Sequence, residues 1–371
     1  MKKSILILSN NLGGLYNFRK EVVSSLRTNG YEVVVSVPEF SHSDYFEGID
    51  CRLVDTPFER KGMNPLKDVG LLFRYLRLIR KEKPLAVLSY TAKPNIYGGM
   101  ACALTGTPQL ANMTGLGSAL ENPGLLQKVM ILLYRMGLRR TRVVFFQNKA
   151  NEQFCLDNKI VRGRHVLIPG SGVNLDHHSL RAYPEKSPVR FLFLGRVMKE
   201  KGIDEYLAAA RRLSRYERDA DFHVVGPCEE SYGALLKEMD DEGIIFYHGP
   251  QPDVRPYIEM CHCTVHPSYY PEGMSNVLLE SCAAGRPVIT TDRPGCGEIL
   301  DDGVNGLLVR PRDPDDLAKK LEAFIALPYE KKVEMGRAAR SKVEREFDRN
   351  IVVRAYLQEV EAIAVDKEKQ A

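Results

Sequence analysis

Two carboxylic acids eight positions apart, Glu272 and Glu280, are separated by residues that carry no charge. They lie in PEGMSNVLLE, where an apolar strand-like run passes through a loop into an apolar helix. Gly273 permits an unusual backbone turn, and Ser275 or Asn276 can cap the helix. The first amides of such a helix, around residues 274–276, are donors that suit a phosphate, while carboxylates accept from hydroxyls. The pattern indicates a sugar nucleotide, although acids favoured by the helix dipole are the simpler interpretation of an isolated pair.

Two cations follow another predicted strand in FLFLGRVMKEKGIDEYL, residues 191–207. Gly195 and Arg196 end the strand, and Lys201 precedes the next helix. Alone, such loop residues are most simply solvated. Combined with the two acids, they supply positive charge for a departing diphosphate.

A glycine pair, Gly13 and Gly14, directly follows the first predicted strand. Glycine lets the backbone approach a ligand closely, and a plain tight turn is the equal alternative. The cluster Cys261-His262-Cys263 with His266 resembles a metal site in composition. The segment reads better as a short buried strand, in which cysteine acts as a small hydrophobic residue.

The elements that position these residues are short apolar runs that alternate with amphipathic segments. The predicted strands of the first half are SILIL, EVVVSV, LAVLSY, PQLANM, RVVFF and HVLIP, and those of the second half are PVRFLFLG, DFHVVG, GIIFYHG, CTVHPS, PVITT and GLLVRP. Apolar strands separated by helices indicate parallel sheets covered on both faces. Two such series predict an α/β chain of two doubly wound domains.

The domain boundaries follow from a polar, proline-bearing stretch. We predict a first domain over residues 1–170, a linker over 171–188, a second domain over 189–346, and a helix and tail over 347–371 that crosses back to the first domain. Residues 1–170 carry 24 Lys and Arg against 13 Asp and Glu, which suggests that this half meets an anionic partner.

Scattered cysteines without CxxC pairs favour a reducing compartment. The N-terminal run reads as a strand rather than a signal peptide, and no apolar stretch is long enough to span a membrane. The segment 60–83 carries eight basic and two acidic residues. Val69, Leu72, Phe73, Leu76 and Ile79 fall at helical spacing in it, so either it packs on the sheet with a solvated basic face or that face touches anionic lipid. Residues 129–140 form a second apolar and basic candidate.

Several motifs together resemble the retaining glycosyltransferases of family 4. In the second half they are GRVMKEKGIDEYL, EGMSNVLLE and CAAGRPVITTDRPGCGEILDDGVNGLLV, and in the first half NNLGGLYNFRKEVVSSLRTNGYEV, SYTAKPNIYGG and NMTGLGSAL. The resemblance implies the GT-B fold, in which two Rossmann-like domains face a central cleft. The first-half motifs resemble the subgroup that extends undecaprenyl-diphosphate-linked sugars in bacterial capsule, O-antigen and protein-glycan assembly.

The resemblance implies an enzyme that moves a sugar, such as N-acetylgalactosamine, from a UDP-sugar to a lipid-diphosphate-linked saccharide. It assigns the catalytic roles to Arg196, Lys201 and Glu272. The donor-binding positions that it implies are Gly13, Gly14, Gly195, Gly226, Pro227, Gly249, Gly273, Met274, Ser275, Asn276 and Glu280. The acceptor or phosphate positions are Asn17, Lys93, Asn95 and Thr114. The first-half histidine of several family members has no counterpart in SYTAKPNIYGG.

Retention can proceed without an enzyme nucleophile if the departing diphosphate takes the acceptor's proton. No metal or other cofactor is expected. Asp313-Pro314-Asp315-Asp316 contains a DxD, but aspartate before proline with acids in the first turn is typical of a helix start. The expected location is the inner face of the cytoplasmic membrane, in contact with anionic lipid, and no nucleic acid is expected as a partner.

Other functions make different demands on the residues. A non-hydrolysing sugar-nucleotide epimerase would share the architecture and the donor, but it needs acid and base groups at the sugar ring. A glucan synthase or phosphorylase-type enzyme is a further alternative, and no cofactor lysine is evident. A nicotinamide-dependent dehydrogenase is disfavoured because TGLGSAL lacks the third glycine of GxGxxG. A non-enzymatic sensor is disfavoured because both acids and both cations are present.

Overall fold

A computed structural model describes residues 3–59, 62, 64–214 and 219–370 of the chain. Arg60 and Lys61 of the predicted basic segment lie outside the described residues. The chain divides into two compact units. The first comprises Met1–Ser171 with Arg349–Ala371, and the second comprises Gly172–Asp348.

The first unit is built on a seven-stranded, all-parallel sheet in the order β3-β2-β1-β4-β5-β6-β7. Its strands are β1 Ser4–Leu8, β2 Glu32–Val37, β3 Arg52–Asp55, β4 Ala86–Tyr90, β5 Gln109–Met113, β6 Val143–Phe146 and β7 His165–Leu167. Its helices before the second unit are α1 Leu12–Thr28, α2 Ser43–Gly48, α3 Pro65–Glu82, α4 Gly99–Thr105, α5 Ser118–Glu121, α6 Leu125–Gly137 and α7 Lys149–Asp157, with a π-helical turn Pro94–Gly98.

Alternate residues of the strands bury opposite faces of this sheet. In β1, Ile5 and Ile7 join a core with α1, whereas Leu6 and Leu8 join a core with α3, α4 and α6. Side chains that alternate between two apolar layers explain why the strands read as continuous apolar runs. The doubly wound prediction is confirmed for this half.

The second unit repeats the arrangement with six parallel strands in the order β10-β9-β8-β11-β12-β13. Its strands are β8 Val189–Leu194, β9 Ala220–Val225, β10 Phe246–Tyr247, β11 Cys263–His266, β12 Val288–Thr291 and β13 Gly306–Val309. Its helices are α8 Ile203–Leu213, α9 Gly233–Asp241, α10 Arg255–Met260, α11 Asn276–Ala283, α12 Pro314–Ala326 and α13 Tyr329–Glu346, with 3₁₀ turns Lys199–Lys201, Glu230–Tyr232 and Gly297–Ile299. In both units the strand order reverses direction beside the first strand, which is where open α/β sheets bind ligands.

The segment predicted as a linker, residues 171–188, instead packs on the second unit almost throughout. The amide of Val173 donates to Phe347 O at 2.8 Å. The fully buried guanidinium of Arg286 donates to the main-chain oxygens of Arg181 and Ala182, and also to that of Glu259. A buried guanidinium that bonds several carbonyls avoids the cost of an unpaired charge, so these contacts fix the segment in place.

The last helix, α14 Arg349–Gln370, belongs to the first unit. Tyr356 is buried against β5 and β6, and its hydroxyl accepts from Asn112 Nδ2 at 2.7 Å. Glu359 pairs with Arg164 at 2.6 Å. The helix therefore completes the layer that α1 begins on one face of the first sheet.

Helix α3 buries part of the face that the spacing suggested. Ile79 is buried and Leu72 and Leu76 pack against the core, whereas Val69 and Phe73 are exposed. The buried face is rotated toward Asp68, which an ion pair holds in the core and which apolar spacing could not indicate. No helix among the described residues has both the length and the apolar content to cross a membrane.

Candidate functional site

The carboxyl ends of β8 and β11 carry the predicted cations and the first predicted acid. Gly195 and Arg196 follow β8, and Glu272 lies in the loop that follows β11. The strand order of the second unit reverses between these two strands. The predicted residues therefore lie at the sheet edge where proteins of this topology bind their ligands.

Three glycines let the chain leave neighbouring strands at the same level. The amide of Gly226 donates to Gly249 O at 2.9 Å, and the amide of Gly195 donates to Val225 O at 3.0 Å. A Cβ on Gly226, whose φ is +141°, would lie 1.9 Å from Gly195 O. Only glycine fits this approach, so the backbone at the ends of β8, β9 and β10 stays uncovered by side chains at these positions.

Lys201 and Glu272 form an ion pair at this edge. The two loops meet because Gly202, at φ +78°, packs so closely that a Cβ would lie 2.3 Å from Pro267 O. Both side chains are largely buried, with exposed fractions of 15% for Lys201 and 13% for Glu272. The ammonium also lies 5.1 Å from the ring centroid of Tyr270, a cation–π contact.

A buried histidine holds the same carboxylate. His266 Nε2 lies 3.2 Å from Glu272 Oε1, and Ser268 Oγ donates to the same oxygen at 3.4 Å. Burial lowers the pKa of His266, so its ring is neutral near pH 7 and donates through Nε2. Burial alone would raise the pKa of Glu272, but the hydrogen bond from His266 and the charge of Lys201 lower it to about 2. Glu272 is thus a fixed carboxylate rather than an acid or base that exchanges protons near neutral pH.

His266, Glu272 and Cys296 offer one potential metal-ligand atom each within 4.8 Å of one another. The residues do not suit a divalent cation, because Lys201 already places a positive charge on the same carboxylate. Burial and the charge of Glu272 also raise the pKa of the Cys296 thiol, which disfavours the thiolate that a metal needs.

Glu280 faces a residue that sequence reasoning missed. His178 Nε2 lies 3.9 Å from Glu280 Oε1, and the two side chains are only 10% and 18% exposed. His178 belongs to the stretch that was assigned to the linker, so it was not considered for the site. The pairing of two histidines at residues 177–178 in a polar stretch was the only available signal.

The start of α11 differs from the expected phosphate cradle in two respects. Ser275 occupies the N-cap position, but its side chain makes no capping hydrogen bond. Its amide, expected to be an unpaired donor, donates to Gly295 O at 2.8 Å. The side chain of Met274 is buried in the core beneath α11. The loop of residues 293–297, which contacts this turn, had not been anticipated.

Arg196 is exposed, and among the described residues no carboxylate lies within ion-pair distance of it. Pro227 is also exposed. Its loop contacts the loop of Arg196, because the amide of Val197 donates to Pro227 O at 2.8 Å. Tyr247 donates its hydroxyl to Gly226 O at 3.1 Å. Burial raises the pKa of Tyr247 to about 12, so it remains a neutral donor. The ring of Tyr247 is thus fixed to the turn at Gly226, one of the predicted donor-binding positions.

In the first unit, the amides expected to hold a diphosphate are already bonded within the chain. Asn11 caps α1 by accepting from the Gly14 amide at 3.1 Å. Glu39 accepts from the Leu12 amide at 2.8 Å, and its other oxygen accepts from Ser41. Burial alone would raise the pKa of Glu39, but hydrogen bonds from Ser41, Leu12 and Gly13 lower it. A carboxylate of the chain thus occupies this helix end, and the donor role predicted for Gly13 and Gly14 requires the ligand to displace it.

Lys93 is not a solvated loop lysine. Its ammonium pairs with Asp68 at 2.7 Å, and Tyr97 donates to the other oxygen of Asp68 at 3.2 Å. Thr91, just before it, has a φ of +73°, and a π-helical turn follows. Backbone of this kind occurs at functional positions and is held here by buried contacts.

Asn95 lies in the core rather than in a binding surface, as it is only 1% exposed. It accepts from Ser89 at 2.8 Å and donates to Asn112 O at 2.8 Å. Its predicted acceptor role must therefore be corrected to a structural one. Asn17 is exposed, with its carbonyl accepting from Arg349 at 3.2 Å, and Thr114 is half-buried after β5.

Two motifs that suggested metals have structural roles. Asp313 caps α12 by accepting from the Asp316 amide at 2.9 Å, so the DxD is a helix start as predicted. Cys261 and Cys263 are buried around β11, and His262 accepts from the Arg190 amide at 3.0 Å. The strand interpretation of this segment is confirmed.

Comparison with known proteins finds two family matches and full-length relatives. Residues 4–148 match the family "Glycosyl transferase 4-like", and residues 181–342 match "Glycosyl transferases group 1". A Campylobacter jejuni protein named N,N'-diacetylbacillosaminyl-diphospho-undecaprenol alpha-1,3-N-acetylgalactosaminyltransferase is 23% identical over 94% of this chain and 96% of its own length.

Two solved structures share the fold over nearly their whole length. A glycosyltransferase from Rickettsia africae superimposes with a TM-score of 0.80 at 19% identity, covering 98% of this chain and 99% of that one. The HepE protein of Anabaena in complex with UDP has a TM-score of 0.77 at 16% identity, covering 98% of this chain and all of that one.

Proposed function

We propose a specific reaction for this chain, which is a glycosyltransferase with the GT-B fold and consists of a glycosyl transferase 4-like half and a group 1 half. In this reaction it transfers an N-acetylhexosamine from a UDP-sugar to a lipid-diphosphate-linked saccharide with retention of anomeric configuration. The Campylobacter jejuni relative is named for transfer of N-acetylgalactosamine to a diphospho-undecaprenol-linked sugar, and the Anabaena structure contains UDP. Both names support a donor and an acceptor of these classes.

The observation that carries the proposal is the charge arrangement at the ends of β8 and β11. Lys201 forms an ion pair with Glu272, while Arg196 is exposed and has no carboxylate partner among the described residues. Cations at a ligand-binding strand edge stabilise the charge that develops on a departing diphosphate. In this proposal the proton passes from one substrate to the other and not through a side chain of the protein.

The low pKa of Glu272 favours one mechanism over others. A general base works best when its pKa lies near the working pH, whereas this carboxylate has a pKa of about 2. We assign Glu272 to the hydroxyls of the donor sugar and Glu280 to those of the ribose. In the transfer step the bond from the anomeric carbon to the diphosphate breaks and a bond to the acceptor oxygen forms on the same face. The acceptor's proton passes to the departing diphosphate, which balances the reaction without a protein nucleophile.

The experiment that tests this function separates donor, acceptor and stereochemistry. A thermal-shift panel of UDP- and GDP-sugars identifies the nucleotide, and we expect a UDP-N-acetylhexosamine to give the largest shift. Transfer to a short-chain lipid-diphosphate saccharide then releases UDP, and NMR of the product reports the anomeric configuration. A product of inverted configuration contradicts retention. Conversion of the donor alone to an epimer contradicts the transferase in favour of an epimerase.

We propose further that transfer needs no metal. Within the described residues the His266–Glu272–Cys296 group does not suit a divalent cation, and the DxD is occupied as a helix cap. We therefore expect EDTA to leave the rate of UDP release within about twofold of its value with Mg²⁺, a difference of under about 0.5 kcal/mol. Activity that disappears with EDTA and returns with Mg²⁺ would contradict this expectation.

We also propose that the enzyme acts while bound to an anionic membrane surface at the inner face of the cytoplasmic membrane. Support comes from α3, which exposes Leu66, Val69 and Phe73 on its outer side, with exposed fractions of 86%, 49% and 63%. Arg77 and Lys81 are exposed on the same helix. An apolar stripe with flanking cations is typical of helices that lie in a membrane interface.

A further inference from the structure

A second apolar stripe lies on α6, on the same side of the first sheet as α3. Leu125, Leu132 and Met136 are exposed by 79%, 55% and 50%, and their spacing of seven and four residues places them along one face. The opposite face is locked, because Gly137 packs so closely that a Cβ would lie 2.6 Å from the Ile96 backbone. The stripe therefore has a fixed orientation away from the core.

A basic pocket of about 310 Å³ opens at the end of this stripe. Its lining contains four cations and three apolar residues: Arg135, Met136, Leu138, Arg139, Lys159, Ile160 and Arg162. Met136 belongs to both the stripe and the pocket, so the two features are continuous. The lining contains no acid and no aromatic residue.

The positive charge of this pocket is not neutralised within the described part of the chain. Arg139, Lys159 and Arg162 are exposed, and no described carboxylate lies within ion-pair distance of them. Arg135 is oriented by donating through Nε and Nη2 to Asn158 O, at 2.9 and 2.6 Å. Like charges held together repel one another, so an anion that bridges them gains energy from each. The preference of arginine for phosphate makes a phosphoryl group the matching ligand.

We infer that this pocket binds the phosphate of an acidic phospholipid while the α6 stripe enters the interface of the bilayer. A soluble anion has no use for the exposed leucines beside the pocket, and nucleic acid would favour aromatic side chains for base stacking. A lipid supplies both matching parts, a phosphate and an adjoining acyl region. The inference builds on the proposed membrane-bound acceptor and adds a specific lipid site at α6, separate from α3.

Vesicle co-sedimentation of the full chain at low salt tests the site. Vesicles are phosphatidylcholine alone or with one quarter phosphatidylglycerol. We expect the variant Arg139→Gln/Arg162→Gln to reduce partition onto the anionic vesicles by about 30-fold, since each basic residue near the surface contributes about fivefold. Partition onto neutral vesicles should not change.

A matched control removes the same charge elsewhere. Arg354 and Lys367 on α14 are exposed and form no ion pair with the described residues, and α14 covers the face of the first sheet opposite to α6. We expect Arg354→Gln/Lys367→Gln to keep partition within about threefold of the parent, because the effect of a charge falls off with distance. An equal loss of vesicle partition in both double variants would show that only the net charge of the protein matters, and the proposed lipid site would be wrong. Unchanged thermal unfolding shows that each variant is folded.

A second pair of measurements distinguishes a lipid from a soluble anion. We expect Leu132→Gln to weaken binding to anionic vesicles at least several-fold. If Leu132→Gln leaves vesicle binding intact while inorganic phosphate stabilises the parent and not Arg139→Gln/Arg162→Gln, the pocket serves a soluble anion and the inference is wrong. Transfer to a water-soluble acceptor is measured in parallel. If transfer persists while lipid binding fails, only this inference falls; if transfer is absent, vesicle binding still reports on the site.

Discussion

The ends of β1 and β4 in the first unit and those of β8 and β11 in the second occupy the same topological place, yet they handle charge differently. In the first unit, Glu39 and Asn11 satisfy the helix amides, and Asp68 neutralises Lys93. In the second unit, the strand edge keeps the exposed cation Arg196. Identical folding rules thus produce one edge that is electrostatically closed and one that can accept an anion.

The comparison teaches that topology selects where a ligand can lie, and side chains select which unit receives it. Both edges contain glycine turns and a lysine, and composition alone does not separate them. The difference is that Glu39 accepts from the helix amides in the first unit, whereas the second unit has Arg196 without a carboxylate partner among the described residues. We therefore assign the diphosphate chemistry to the second unit, and the following substitutions test that assignment.

The largest expected effect is at Lys201. Lys201→Ala removes a fixed charge from the proposed leaving group, and we expect the rate of UDP release to fall by on the order of 10²–10³. Lys199→Ala, in the same 3₁₀ turn and exposed, is the matched control and should retain activity. Arg196→Ala is expected to lose a similar factor. A near-parental rate in either Lys201→Ala or Arg196→Ala, with thermal unfolding unchanged, would refute the diphosphate assignment.

The corresponding lysine of the first unit should affect stability instead. Lys93→Ala leaves the buried Asp68 without its cation, which we expect to lower the free energy of unfolding by about 3 kcal/mol. Replacing both partners in Asp68→Asn/Lys93→Met should recover most of this loss, because no buried charge remains. Denaturant unfolding measures both variants. A stable Lys93→Ala that is unable to turn over would show that Lys93 binds substrate, and the contrast between the units would disappear.

The pH dependence of stability isolates Glu272. Its folded pKa of about 2 lies below the unfolded value of about 4.3, so its contribution is complete above about pH 5 and disappears as the pH falls toward 2. We expect the parent to lose about 2 kcal/mol more than Glu272→Gln over this range. Glu242→Gln, at an exposed position, is the control and should follow the parent. Parallel curves for parent and Glu272→Gln would contradict the buried ion pair.

The smallest effect tests the closed edge of the first unit. Glu39→Ala removes the acceptor from the start of α1, and we expect a loss of about 1 kcal/mol in stability. The uncovered amides should then bind an anion, so inorganic phosphate should raise the Tm of this variant and not that of the parent. Glu47→Ala, exposed on α2, is the control. If phosphate stabilises the parent equally, Glu39 does not occupy the anion position.

Most of the fold could be predicted because the strands are apolar on both faces. Six strands were predicted for the first half, and all six are present. The missing one is β3, whose sequence RLVD carries charges at both ends because it forms the edge of the sheet. An edge strand has one neighbour and alternates with solvent, so periodicity distinguishes it poorly from a loop.

The positions of Arg196 and Glu272 were predictable because both lie in loops that leave the carboxyl end of an apolar strand. The site was not predictable where distant segments meet. Glu39 reaches α1 from a loop 27 residues away, Asp68 reaches Lys93 across 25 residues, and His178 reaches Glu280 from a polar stretch. Each of these contacts joins two segments that are far apart in the sequence, and the residues around either partner do not indicate the other.

Arg286 determines where the chain can be divided. Its guanidinium donates to main-chain oxygens of the segment 172–188 and of α10. This segment is therefore expected to resist amide hydrogen exchange together with the second half. A separately expressed second half should therefore begin at Gly172 and end at Asp348. A separately expressed first half needs α14 joined back to it through a new peptide connection, because truncation at Ser171 would strip Tyr356 from its core.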